Sequence, residues 1–203
     1  MARTLLLLLA VAAFVALALA PSASALGLED RRAVSKPARA AQASSTPIAP
    51  LSSCPRQDET AAPTGEQEEE MRCMTDYARL HFGLPPLAEA EQLSLSASGK
   101  SADILLCNSF SHSACGRDFT YWMKESGYLA AQCWRAGENL AWGVGEEGTV
   151  RSIFRAWMRS PSHRQNILGA FDQIGVALQL GELEGQSGTR VWTQHFGSQC
   201  EPA

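Results

Sequence analysis

The chain has 203 residues, with 17 basic against 21 acidic side chains for a formal net charge of −4, and 45% of it is hydrophobic. An acidic balance with lysine only at Lys36, Lys100 and Lys124 excludes nucleic acid and anionic headgroups as bulk electrostatic partners, since both need clustered cations. Six cysteines, an even set with no C-x-x-C pair, point to disulfides in an oxidising compartment and away from a structural zinc cluster or a redox dithiol.

Arg3, the apolar run Leu5 to Ala20, the break at Pro21 and the small-x-small pattern Ala23, Ser24, Ala25 read as a signal peptide over 1–25. The run is shorter than the roughly 20 residues a membrane span needs. No later stretch is long enough either, so a secreted, extracellular protein is expected and an integral membrane protein is not. Residues 26–64 are rich in Ala, Ser and Pro without periodicity, the composition of a disordered spacer.

A folded domain is expected over 65–200. Thr64 and Gln67 have capping-box spacing, the acids from Glu66 to Glu70 suit a helix N-terminus, Met71, Met74 and Ala78 form an apolar stripe, and Gly83 with Pro85 ends the helix. A second helix is predicted over Ala88 to Cys107, with Leu93, Ala97 and Ile104 inward and Asp103 on the wet side. The short segment between Cys107 and Cys115, which carries His112, is a natural loop to staple. A third helix over Asp118 to Ser126 closes at Gly127, and Asn139 to Trp142 reads as a short strand. Val150, Ile153, Phe154 and Trp157 give an amphipathic helix begun at Thr149 and ended before Pro161. The period then changes to two: Ile174, Val176, Leu178 and Leu180 on one strand, and Trp192, Gln194 and Phe196 alternating with Val191, Thr193 and His195 on another. The polar stretch Gly181 to Gly188 is predicted as their hairpin loop. Helices first and a hairpin last make an α+β domain with helices layered on a small antiparallel sheet.

Among the histidines, His81 suits a helix C-terminus and His195 reads as exposed or structural. His112 and His163 sit at irregular junctions, where loops place functional groups. With Glu138 they could hold a divalent ion such as zinc with an open position, or form a hydrogen-bonded cluster with no ion. The absence of tight H-E-x-x-H spacing favours the cluster. Ser160 and Ser162 lie near His163, but without a G-x-S-x-G elbow they suit helix ends better than nucleophilic catalysis.

The ordered segments FSH (Phe110 to His112), GENLAWG (from Gly137), WMRSPSHRQNIL (from Trp157), IGVAL (from Ile174) and WTQHFG (from Trp192) resemble the CAP superfamily, the cysteine-rich secretory, antigen 5 and pathogenesis-related-1 proteins, in its bacterial secreted form. The likeness covers about Gln67 to Ser198. It implies a three-layer α-β-α sandwich with a central cleft lined by His112, Glu138 and His163. A second family glutamate is expected where Ser160 stands, which removes one negative charge from the cleft; Glu146 or Glu147 could substitute, although solvated loop acids explain them better. The resemblance also implies the pairs Cys54–Cys73, Cys107–Cys115 and Cys133–Cys200. The resemblance implies a family whose members are mostly regarded as non-enzymatic and many of which bind lipids, sterols or other partners outside the cell. The expectation is therefore a secreted module whose cleft takes a small or lipid-like ligand or an extracellular protein, with no required cofactor and at most a weakly held divalent metal. The alternative is a metal-dependent extracellular peptidase using the same residues.

Overall fold

The structure is a computed structural model that describes residues 47–131 and 133–199. The expected signal peptide, the expected spacer as far as residue 46, and Cys200 lie outside the described residues.

Four strands form one sheet in the order β1-β3-β4-β2. β3 (Gln173–Leu183) and β4 (Gln186–Gln199) are an antiparallel hairpin, β2 (Trp134–Val144) pairs antiparallel with β4, and the two-residue β1 (Ala88–Glu89) runs parallel to β3. The sheet is thus mixed and not purely antiparallel. The alternation on β4 sorts the two faces: Trp192 and Phe196 join a core with Met71, Met74, Phe154 and Trp157, while Val191 packs with Ile104 and Leu140 on the other side. On the first face lie α1 (Thr64–His81), α4 (Val150–Arg159) and α5 (Pro161–Ile167); on the second lie α2 (Glu91–Leu106) and α3 (Tyr121–Glu125). The chain is therefore a three-layer α-β-α sandwich, as expected.

The local chemistry accounts for most boundaries. α1 ends in a Schellman motif: Gly83 adopts φ 72°, and the amides of Gly83 and Leu84 return to the carbonyls of Leu80 and Arg79. Its start differs from expectation, because Pro63 is the N-cap and Gln67 reaches back to the Ala62 carbonyl at 2.6 Å instead of closing a capping box with Thr64. Two of the N-terminal acids are not merely solvated. Glu68 accepts the Leu178 amide of β3 at 2.8 Å and Glu70 accepts the Arg56 amide at 3.0 Å. α4 is capped by Thr149, whose Oγ1 accepts the Ser152 amide at 3.2 Å.

Four other predictions shift. Residues 88–90 leave the predicted second helix because β1 takes Ala88 and Glu89 and Ala90 becomes the extended N-cap of α2, with the Ala88 and Ala90 amides donating to the carbonyls of Asp172 and Ile174. Asp103 is buried, since its carboxylate receives Arg117 at 2.6 Å and the Trp122 indole at 2.7 Å. The hairpin loop shrinks to Glu184 and Gly185, both at positive φ, and the rest of the polar stretch pairs as strand apart from Gly188, which a register shift leaves bulged at φ 73°. Residues 47–63, expected as spacer, pack on the domain: Ala49, Cys54 and Gln57 are fully buried, and the Gln57 amide donates to the carbonyls of Ala49 and Cys54 at 3.1 and 2.8 Å.

Candidate functional site

Glu138 lies in the middle of β2, opposite His195 of β4, which in turn stands opposite Gly175 of β3. All three face α2. The Glu138 carboxylate is buried, and each of its oxygens meets an imidazole: Oε1 is 2.5 Å from His112 Nδ1 and Oε2 is 2.8 Å from His195 Nε2. His112 reaches it from the loop after α2 and remains 61% exposed at the side chain, whereas His195 is fully buried. Behind His195, Ser96 of α2 lies 2.8 Å from Nδ1. Lys100, one turn further along α2 and almost fully buried, donates to the His112 carbonyl.

Burial opposes the Glu138 charge, but hydrogen bonds from His112 and His195, with the positive charge of Lys100, hold its carboxyl below the usual range. Burial pushes Lys100 down from the usual lysine range, offset by Glu138, Asp103 and Asp118. His163, from the first turns of α5, is pushed below the usual imidazole range by burial and by His112. Its Nδ1 is buried and makes no hydrogen bond among the described residues.

A second set of polar side chains fixes α5 to the sheet. Asn166 donates to the Glu138 carbonyl at 3.0 Å and to Asn139 Oδ1 at 2.9 Å. Asn139 donates to the His163 carbonyl at 3.1 Å and to Gln194 at 3.3 Å, and Gln194 donates to Thr75 of α1 at 2.9 Å. The amides on strand residues adjacent to Glu138 and His195 point to the opposite face and tie down the backbone beside His163. Arg79 closes the other end of α5, donating from Nη1 to the carbonyls of Ile167 and Gly169 at 2.9 and 3.0 Å.

A profile of the cysteine-rich secretory protein family, CAP, matches residues 74–196. The chain belongs to the CAP family. The Bacillus subtilis protein YkwD is 36% identical over 140 residues, 68% of this chain and 50% of YkwD, so the chain spans half the length of that curated relative. An extracellular SCP-domain protein of Bacillus anthracis superposes with a TM-score of 0.52 at 25% identity over 66% of this chain and 40% of the other. An outer surface protein of Borrelia burgdorferi shares the fold alone, with a TM-score of 0.57 at 18% identity over 68% of this chain and 97% of that one.

In this CAP chain the motif residues separate by role. Glu138 and His112 are in direct contact; Ser160 is not part of that contact. It sits at the junction of α4 and α5, where its hydroxyl meets Ser162 at 3.3 Å and its carbonyl accepts the Arg164 amide. Glu146 and Glu147 stand in the 3-10 turn after β2, where Glu146 lines a pocket with Asp58, Arg151 and Arg155. A larger groove of about 500 Å³ opens between Met158, Arg159, Pro161 and Leu168, beside the helix of His163 but lined by none of the three cleft residues. Among the described residues no group of three His, Cys, Asp or Glu side chains is disposed to hold a metal ion. Both Glu138 oxygens face imidazole nitrogens, so His112, Glu138 and His163 as they stand do not fit a three-ligand zinc centre.

Ser96 and Lys100 are members that the sequence does not single out, and His195, read as exposed or structural, is fully buried beside Glu138. The available signal was strand register: once β2 and β4 pair, an out-of-phase His195 must share a face with Glu138.

The loop carrying His112 is held by the Cys107–Cys115 disulfide and by the Phe110 ring against Trp142, 6.5 Å between centroids. Cys54–Cys73 also forms, and Cys133 is disulfide-bonded, its expected partner Cys200 lying outside the described residues. Replacing both Cys107 and Cys115 with serine is expected to cost about 2–3 kcal/mol, read from urea unfolding, because the open loop regains conformational entropy. A loss under roughly 0.5 kcal/mol would show that packing alone holds the loop.

Proposed function

We propose that this is an extracellular, non-catalytic binding domain whose ligand contacts are made by His112 and His163. The observation that carries this reading is the state of Glu138. A carboxylate that is to abstract a proton, activate water or bind a shared metal needs a free oxygen facing the reactant. Here both oxygens are engaged within the protein, and the carboxyl is buried. Ser160 supplies no second carboxylate. His112 by contrast is exposed, and its ring is oriented from behind by an acid, an arrangement suited to gripping a ligand. The leader-like N-terminus, the disulfides and the extracellular setting named for the Bacillus anthracis relative support a location outside the cell.

The test uses the purified chain with a lipid extract in mild detergent, with zinc, and with peptide and ester substrate libraries. Native mass spectrometry is expected to find a retained small molecule that is lost from His112→Ala and His163→Ala. Turnover of any substrate that requires zinc and disappears in Glu138→Gln would replace this reading with the hydrolase.

A further inference from the structure

The atoms around Glu138 settle where the protons lie. An ionised carboxylate only accepts, so each imidazole must carry N–H on the nitrogen that faces it. For His195 that nitrogen is Nε2, 2.8 Å from Oε2; in the neutral ring Nδ1 is then an acceptor, and the Ser96 hydroxyl, 2.8 Å away, donates to it. The neutral His195 ring is fully satisfied in this arrangement and cannot flip without breaking two buried hydrogen bonds. For His112 the facing nitrogen is Nδ1, 2.5 Å from Oε1. The Lys100 ammonium holds the same residue by its backbone carbonyl and adds positive charge beside the carboxylate.

We propose that Ser96, His195 and Lys100 are positioning residues that lock His112 as its Nδ1–H tautomer, so that its exposed Nε2 is an acceptor and the site takes a ligand through a hydroxyl or ammonium donor and not through an anion. Free histidine prefers the opposite tautomer, with the proton on Nε2. The buried carboxylate behind the ring balances the Lys100 ammonium, so the pair offers no net positive charge to an anion, and burial disfavours the charged form of His163. The choice of ligand rests on the binding reading above; the tautomer does not.

The experiment is a long-range proton–nitrogen correlation spectrum of the ¹⁵N-labelled chain in EDTA at about pH 8, above the usual imidazole range. His112 is expected to show Nδ1 in the protonated, pyrrole-type region and Nε2 in the unprotonated, pyridine-type region. His195→Gln keeps a donor near the position of Nε2 and should preserve that pattern. His195→Leu and Ser96→Ala should move both His112 nitrogens toward the mixed values of exchanging tautomers. A wild-type His112 protonated on Nε2 would overturn the proposal. So would an unchanged His112 pattern in Ser96→Ala, which keeps the ring and tests the chain even if His195→Leu does not fold. Saturating methyl glucoside or methylammonium should shift the His112 Nε2 signal while sodium phosphate leaves it in place. A shift with phosphate alone would overturn the donor preference, and no response to any of the three would overturn the binding reading while the tautomer result stands.

Discussion

Glu138→Ala is expected to destabilise the domain by about 3–5 kcal/mol, because it removes the one acceptor shared by two imidazoles and the main countercharge of a buried lysine. His195 Nε2–H would be left at full burial without a partner, and the Lys100 ammonium would keep only Asp103 and Asp118. An unpaired buried donor costs about 1–3 kcal/mol, and an uncompensated buried charge costs more. Glu138→Gln should cost less, since the amide oxygen can still accept from one imidazole while its NH₂ opposes the other. Urea unfolding decides the matter: a loss below about 1 kcal/mol for the alanine variant would show that the pocket relaxes and admits water.

The same groups set a direction for pH. His163 is neutral in the fold because its pKa is depressed, so the unfolded chain binds the extra proton and stability declines as pH falls below about 6.5, the ordinary imidazole value. Glu138 also has a depressed pKa; its contribution is present above the unfolded carboxyl range and is lost as pH falls through the folded value. Glu68, Glu70 and Asp76 act in the opposite sense, since burial raises them and their contribution is lost as pH rises through their folded values. Acidification should therefore weaken the fold first through His163 and last through Glu138, with Glu68, Glu70 and Asp76 opposing the loss in the carboxyl range, and His163→Gln should remove the first stage.

What was legible in the sequence were features whose signal is local and periodic. The stripe Val150, Ile153, Phe154, Trp157 fills the core as read, because an i, i+3, i+4, i+7 pattern has one way to bury itself. The motif order led to the right family, and the His112–Glu138 contact lies among the residues it assigned to one cleft. Three things were not legible, each for a non-local reason. β1 and the N-terminal end of α2 compete for residues 88–90, and only pairing with β3 decides between them. Asp103 looks like a surface residue until Arg117, just after the Ala114–Gly116 turn, and Trp122 of α3 reach it. His195 looks ambiguous until strand register sets it beside Glu138 and α2 brings Ser96 over it. A buried polar residue is recognisable only with its partner, and these partners come from other elements.

Gly175→Ala is the substitution expected to damage fold and site together. Gly175 needs no unusual backbone angle; what it supplies is space, because a Cβ there would stand 2.0 Å from the Leu93 carbonyl carbon and 2.1 Å from the Ser94 nitrogen. Those are backbone atoms of α2, so no rotamer change can relieve the contact and the helix itself must move off the sheet. Overpacking of this kind costs about 3 kcal/mol or more, a fall in melting temperature of roughly 6–12 °C for a domain of this size. The displacement would fall on the stretch of α2 that places Ser96 2.8 Å from His195 and Ser101 2.8 Å from Thr193. The His112 nitrogen pattern should therefore change in Gly175→Ala even at temperatures where it remains folded. Gly65→Ala is the matching control: it lies in α1 with nothing within 4 Å of its added Cβ, and should leave the site untouched and the stability equal or slightly higher. If Gly175→Ala melts like Gly65→Ala, α2 is not pressed against β3 as closely as the geometry requires, and the route from Ser96 through His195 to Glu138 loses its foundation.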